Sequence, residues 1–195
     1  MSSFEYAAVF YGIVVAMALE TVASSFHKLM AAGPRVRWHW MAPATAFNAS
    51  LVTLGEFWIL WQDRGSWRGG YMFYQFLPFA ISLLFMFLSA AATLPDEVPE
   101  AGVDLRQFYY ANRRHYWGLV VAFFAFNTLL TLTTLFRFGG GAGDWRAALP
   151  RLESDVFAIV LSTPLIFVRA PWWHGAVIVL QTVFLLLFLG SLQIA

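Results

Sequence analysis

Glu20, Ser24 and His27 stand at i, i+4 and i+7 of an apolar run, which places them on one face if the run is helical. A carboxyl, a hydroxyl and an imidazole aligned in this way can hold and exchange a proton. Comparable polar groups recur along the chain: Asn48, with Thr45 and Glu56 on roughly its own face, Asn127, with Thr131 and Thr134, and Gln181. Each interrupts an apolar run of bilayer length, where an ionisable group costs about 2.5–3.5 kcal/mol on insertion scales and normally faces a bundle interior. If Glu20, Asn48, Asn127 and Gln181 converge, the interior contains a polar centre with a carboxyl group in it. The amides and hydroxyls also have a plainer use, bridging neighbouring membrane helices for about 0.6 kcal/mol apiece. Asn48-Ala49-Ser50 matches a glycosylation acceptor, but the middle of a span is the wrong place for one.

A second pattern joins arginine, tryptophan and histidine. "RVRWHW" at 35–40 contains Arg35, Arg37, Trp38, His39 and Trp40. "NRRHYW" at 112–117 contains Arg113, Arg114, His115 and Trp117, and "RAPWWH" at 169–174 contains Trp172, Trp173 and His174. Imidazole is a common ligand of zinc, copper and iron, so His39, His115 and His174 are weak metal or haem candidates. Their spacings are long and irregular, no histidine pair lies at i, i+4, and no carboxylate stands beside any of them. An interfacial kit explains the pattern better: tryptophan and tyrosine settle at headgroup level while arginine snorkels toward phosphates. No cofactor is expected.

Enzyme signatures are missing. The chain has no H-E-x-x-H helix, no G-x-S-x-G elbow and no G-x-x-x-x-G-K-[ST] phosphate cradle. Its one lysine, Lys28, lies at the end of an apolar run and not at its middle, which does not suit a retinal Schiff base. Catalysis therefore finds no support.

The elements that must position these residues follow from composition. Of 195 residues, 60% are hydrophobic and 12% charged, against about 25% charged in a soluble domain. So much apolar surface cannot be hidden in one soluble core of this size. The formal charge of +1 offers no basic face to nucleic acid. Zero cysteines exclude disulfides and thiolate chemistry. The start "MSSFEY" lacks a basic n-region, so the first apolar segment is expected to be retained.

A membrane span needs about 20 mainly apolar residues. Six windows qualify, near 6–30, 41–61, 74–94, 116–136, 152–168 and 172–192, and they predict one all-α, polytopic bundle of six helices arranged as three hairpins. Gly33-Pro34 and Pro95 punctuate the first and third spans. Asp104 is the expected N-cap of a short interfacial helix before the fourth span, with Leu105, Phe108 and Tyr109 on one face. "GGGAG" at 139–143 marks a turn, "DWRAAL" a short helix, and Pro164 a kink in the fifth span.

With both termini outside, Lys28, Arg35, Arg37, Arg106, Arg113, Arg114 and Arg169 fall on the cytoplasmic side. Arg64, Arg68, Arg137, Arg146 and Arg151 then fall outside, so the positive-inside rule favours this orientation by seven to five. All four histidines then lie at one membrane face. "LPDE" at 94–97 with "DLRQFYYANRRHYW" at 104–117 resembles a loose family of small, uncharacterised six-span bacterial membrane proteins. The resemblance implies that fold and a bacterial inner-membrane location, and it carries no activity or site residue.

Three functional expectations follow. The polar interior conducts or transports protons, ions or a small solute; or the chain is an accessory or scaffold subunit of a larger membrane complex or a homo-oligomer; or its histidines ligate a metal or haem.

Overall fold

The computed structural model describes residues 3–62, 73–138 and 142–191. Arg64, Arg68 and the Gly139–Gly141 part of the glycine run lie outside the described residues. The described residues form six α-helices: α1 Ser3–Ala32, α2 Met41–Gln62, α3 Phe73–Ala91, α4 Leu105–Phe138, α5 Ala142–Phe167 and α6 Pro171–Ser191. The all-α expectation holds. Three of the six are long and apolar enough to cross a membrane: Phe4–Arg35, Leu105–Arg137 and Pro171–Gly190. The apolar part of α3, Phe76–Ala91, is shorter. α5 carries Arg146, Arg151, Glu153 and Asp155 along its first half, which dilutes its apolar character.

α1 stops where Gly33 takes φ +55°, a left-handed conformation that closes a helix C-terminus, and Pro34 cannot continue the ladder. A short helical turn, Gly33–Arg35, leads into β1, Val36–Arg37, which pairs in parallel with β2, Val103–Asp104. The pairing ties the segment after α3 to the α1–α2 connection. Gly102 permits it: its φ is +84°, and a Cβ there would sit 2.4 Å from the Arg35 carbonyl oxygen. Lys28 Nζ donates to the Asp96 carbonyl at 3.1 Å and fastens the same segment to α1.

Asp104 caps α4 as expected, accepting from the Arg106 and Gln107 amides at 2.9 and 3.1 Å. The separate interfacial helix is corrected: α4 runs unbroken from Leu105 to Phe138. No glycine or proline interrupts Leu105–Trp117, so the polar turns extend the apolar helix. A second correction concerns α5, which is one helix through Pro150, with Pro164 also inside it, in place of a short helix followed by a span. A proline removes one backbone donor and crowds the carbonyl four residues back, but the turns on either side carry the helix through.

Consecutive helices pack on one another, with the most extensive contact between α4 and α5, and α2 lies centrally against α1, α3, α4 and α6. The end of the bundle near β1 has a core of Leu29, Met41, Leu105, Trp117, Leu165 and Ile178, and the other end one of Tyr11, Leu60, Leu83, Met86 and Phe123. Between them Ala18, Ala49 and Ala90 meet, small side chains that let α1, α2 and α3 approach closely.

Candidate functional site

The expected polar centre is only partly assembled. Ala18 is fully buried and marks the inner face of α1, with Ser25 one heptad later on that face. Glu20 lies two residues beyond Ala18, about 200° round a helix that turns about 100° per residue, so it points outward and is exposed. His27 is exposed with it and Ser24 is half-buried. Glu20 is therefore corrected from the interior to the outer flank of α1. Asn127 is buried but serves a seam: its Oδ1 accepts from the Ser82 hydroxyl at 3.1 Å and its Nδ2 donates to the Phe123 carbonyl at 3.0 Å, joining α4 to α3.

Asn48, Glu56 and Gln181 do come together, on the wall of a cavity of about 360 Å³ between α2, α4, α5 and α6. Asn48 and Gln181 serve as links between helices. Asn48 Nδ2 donates to the Ile178 carbonyl at 3.2 Å, its Oδ1 accepts from the Thr182 hydroxyl at 2.7 Å, and Gln181 Nε2 donates to Ser162 Oγ at 3.0 Å. α6 is thereby fastened to α2 and α5 along the cavity.

The charge in this cavity comes from Glu56, which was expected at the polar centre, and from two residues that were not, Asp155 and Arg151. Asp155 and Arg151 of α5 line it together with Glu56 of α2. The Tyr11 hydroxyl, from α1, lies 3.5 Å from Glu56 Oε2. Asp155 is 6% exposed, and its Oδ2 has no hydrogen-bond partner. A buried carboxylate oxygen without a donor is expensive; Arg151, four residues earlier on the same wall, offsets part of the charge, and a proton or an entering hydrogen-bond donor would satisfy the oxygen. The signal was in the sequence: Asp155 is an acid inside the fifth apolar window, with Arg151 four residues before it and Ser162 seven after it on one face. Apart from Ser89 and Ser154, the rest of the wall is mainly aromatic and aliphatic, with Tyr116, Phe123, Phe124, Phe157, Phe184 and Phe188 among its residues.

A second polar arrangement sits at the end near β1, where the three arginine–tryptophan–histidine stretches meet. His174 is fully buried. Its Nε2 lies 2.9 Å from the Val168 carbonyl, its Nδ1 lies 2.7 Å from the Tyr109 hydroxyl, and Trp117 Nε1 donates to that hydroxyl at 3.1 Å. A carbonyl only accepts, so Nε2 carries the proton of the neutral ring, Nδ1 accepts from Tyr109, and Tyr109 accepts from Trp117. Both imidazole nitrogens are committed within the protein. His115 is exposed, while His39 is half-buried with its Nδ1 unpartnered. Burial, then the neighbouring Arg106 charge, lowers the pKa of His39, and Asp104 acts in the opposite direction. Among the described residues no three histidine, aspartate or glutamate side chains gather as a metal site would require.

The interfacial kit divides. Arg35, Arg37, Trp38, Trp40, Arg114 and Trp172 are exposed at this rim, and Trp173 is half-buried. His39, Trp40, Arg106 and Trp172 border an open groove that continues over Gly175, Val179 and Val183 of α6. Trp117 and Arg113 are corrected to the interior: Trp117 is fully buried, and Arg113 turns inward to donate to the Tyr110 carbonyl at 2.7 Å. Their helical positions place them on the α4 face that packs on the core, and residue type alone did not reveal this. No protein-family model, curated protein or solved structure matches the chain.

Proposed function

We propose that this chain is an integral membrane protein that carries protons or a small cationic solute, with the cavity between α2, α4, α5 and α6 as its binding station. In this reading α1, α4 and α6 span the bilayer, α2, α3 and α5 complete a six-span bundle of the bacterial inner membrane, and the basic rim near β1 faces the cytoplasm. Asp155 takes the role that the sequence suggested for Glu20. The observation that carries the proposal is its buried, unpartnered carboxylate oxygen on the wall of a cavity between four helices, since intramembrane ionisable groups of this kind mark pathways. Glu56 and Arg151 supply a second carboxylate and a compensating cation at the same cavity.

The test is flux in liposomes reconstituted with the full chain and loaded with a pH-sensitive dye. Under an imposed potential, Asp155→Asn is expected to lower proton entry about tenfold or more, the scale of losing one buried charged group. Equal entry for wild type and variant would remove Asp155 from the path.

A second reading, a subunit of a larger assembly, is favoured by Glu20. This exposed carboxylate lies about 18 Å along α1 from Ala32 and about 26 Å from Ser3 at a rise of about 1.5 Å per residue. A carboxylate facing lipid at that depth is costly, and a second copy or another membrane chain against the α1 flank would relieve the cost. The two readings are compatible, because the cavity lies away from that flank.

A further inference from the structure

Resting on the transport reading, we infer that the solute is an amphiphilic amine in its protonated form, with an N–H group on Asp155 Oδ2 and an apolar body against the aromatic wall. The first argument is size. A cavity of about 360 Å³ falls among small-molecule sites of about 300–1,000 Å³ and far exceeds what a proton needs. The second is the donor set. A hard metal cation asks for about six or more oxygen ligands, whereas Asn48 Oδ1 is already bonded to Thr182 and the remaining wall is dominated by rings and aliphatic chains.

Ring faces carry the negative part of the aromatic quadrupole and attract an organic cation. Asp155 and Glu56 together outweigh the one Arg151 cation on the same wall, and the bare Asp155 oxygen asks for a hydrogen-bond donor. A protonated amine satisfies it, whereas a quaternary ammonium lacks the N–H. The third argument is access. The Phe157 and Phe184 rings meet in a tilted contact at the α5–α6 seam, with centroids 5.8 Å apart. They are 41% and 38% exposed on the flank of the bundle while also lining the cavity. An amphiphile dissolved in the bilayer reaches the cavity from this flank when the two rings part, without entering water.

Isothermal titration of the detergent-purified full chain tests this with three probes of one shape: 2-naphthylmethylamine, its N,N,N-trimethyl analogue, and 2-naphthylmethanol. The amine is expected to bind about tenfold or more tightly than the alcohol, with the quaternary analogue between them, which corresponds to at least about 1.4 kcal/mol. Asp155→Asn should weaken the amine by a similar factor and leave the alcohol unchanged, and Asp155→Glu should retain most of the amine affinity. Equal affinity of amine and alcohol for the wild-type chain overturns the inference, and this comparison stands even if a variant fails to fold. If no probe binds while Asp155-dependent proton flux persists, the amine inference fails and the transport reading stands. If flux too is independent of Asp155, both fail.

Discussion

His174 shows how much one polar residue can determine at the end of a helix. Its ring joins Tyr109 and Trp117 of α4 to the Val168 carbonyl that precedes α6. His174→Ala would strand the Tyr109 hydroxyl proton and the Val168 carbonyl, and each unsatisfied buried group costs about 1–3 kcal/mol. A fall in unfolding free energy of about 2–4 kcal/mol is expected, read by thermal or denaturant unfolding in detergent. An unchanged transition would mean that the bonds are replaced when the ring is lost. Asp104 offers a pH-dependent counterpart. Its pKa is lowered chiefly by the Gln107 amide, and further by the Arg106 amide and the Arg37 charge. The sign follows: a depressed carboxylate contributes stability in full above its ordinary value of about 3.9, and the contribution is lost as the pH falls through the lower native value. Hydrogen exchange at the Arg106 and Gln107 amides should therefore stay protected at pH 5 and accelerate beyond the intrinsic pH trend below about pH 4. Protection that persists in Asp104→Ala would show that the cap does not govern this helix start.

At the scale of elements, helix ends were far more legible than helix faces. The bounds of α1, α2 and α6 fall within a few residues of the expected windows, because Gly33-Pro34, the polar stretch before Met41 and Pro171 act locally on the backbone. The continuity of α4 was missed because a change in composition after Asp104 suggested a change of element, although no breaker residue enforces one. Facing direction was hidden for a different reason. A membrane helix is apolar toward lipid as well as toward its neighbours, so hydrophobicity does not distinguish the side bearing Ala18 from the side bearing Glu20. Polar residues on such helices must be sorted by contact, and Asn127 supplies a test of that sorting. It bridges α3 and α4 away from the cavity, so Asn127→Leu should lower stability by about 0.6–1.7 kcal/mol and leave solute binding and flux at wild-type levels. Loss of flux without loss of stability would return Asn127 to the pathway that its position in the sequence suggested.

Across the whole molecule, the two acids at issue occupy different environments. Asp155 is enclosed at a cavity formed by four helices, while Glu20 stands on the outer flank of α1. Both were visible as acids within apolar windows, and the cost of burying charge identifies both as exceptional without saying which one faces inward. The arrangement assigns them separate consequences. Glu20→Gln should leave flux through reconstituted vesicles unchanged, because the substituted group does not line the cavity. Glu20→Leu removes the polar group that a neighbouring chain would cover, so if the α1 flank is an assembly surface it should shift the mass of the detergent-solubilised particle, measured by light scattering, toward a smaller species. Asp155→Asn should produce the opposite pair of results: an unchanged particle mass and flux reduced about tenfold or more. Reversal of this pattern, with flux sensitive to Glu20 and indifferent to Asp155, would place the conducting path at the α1 flank, between copies of the chain and outside the bundle. Because flux and mass are read on the same purified protein, one pair of variants decides whether transport is a property of the single bundle or of its assembly.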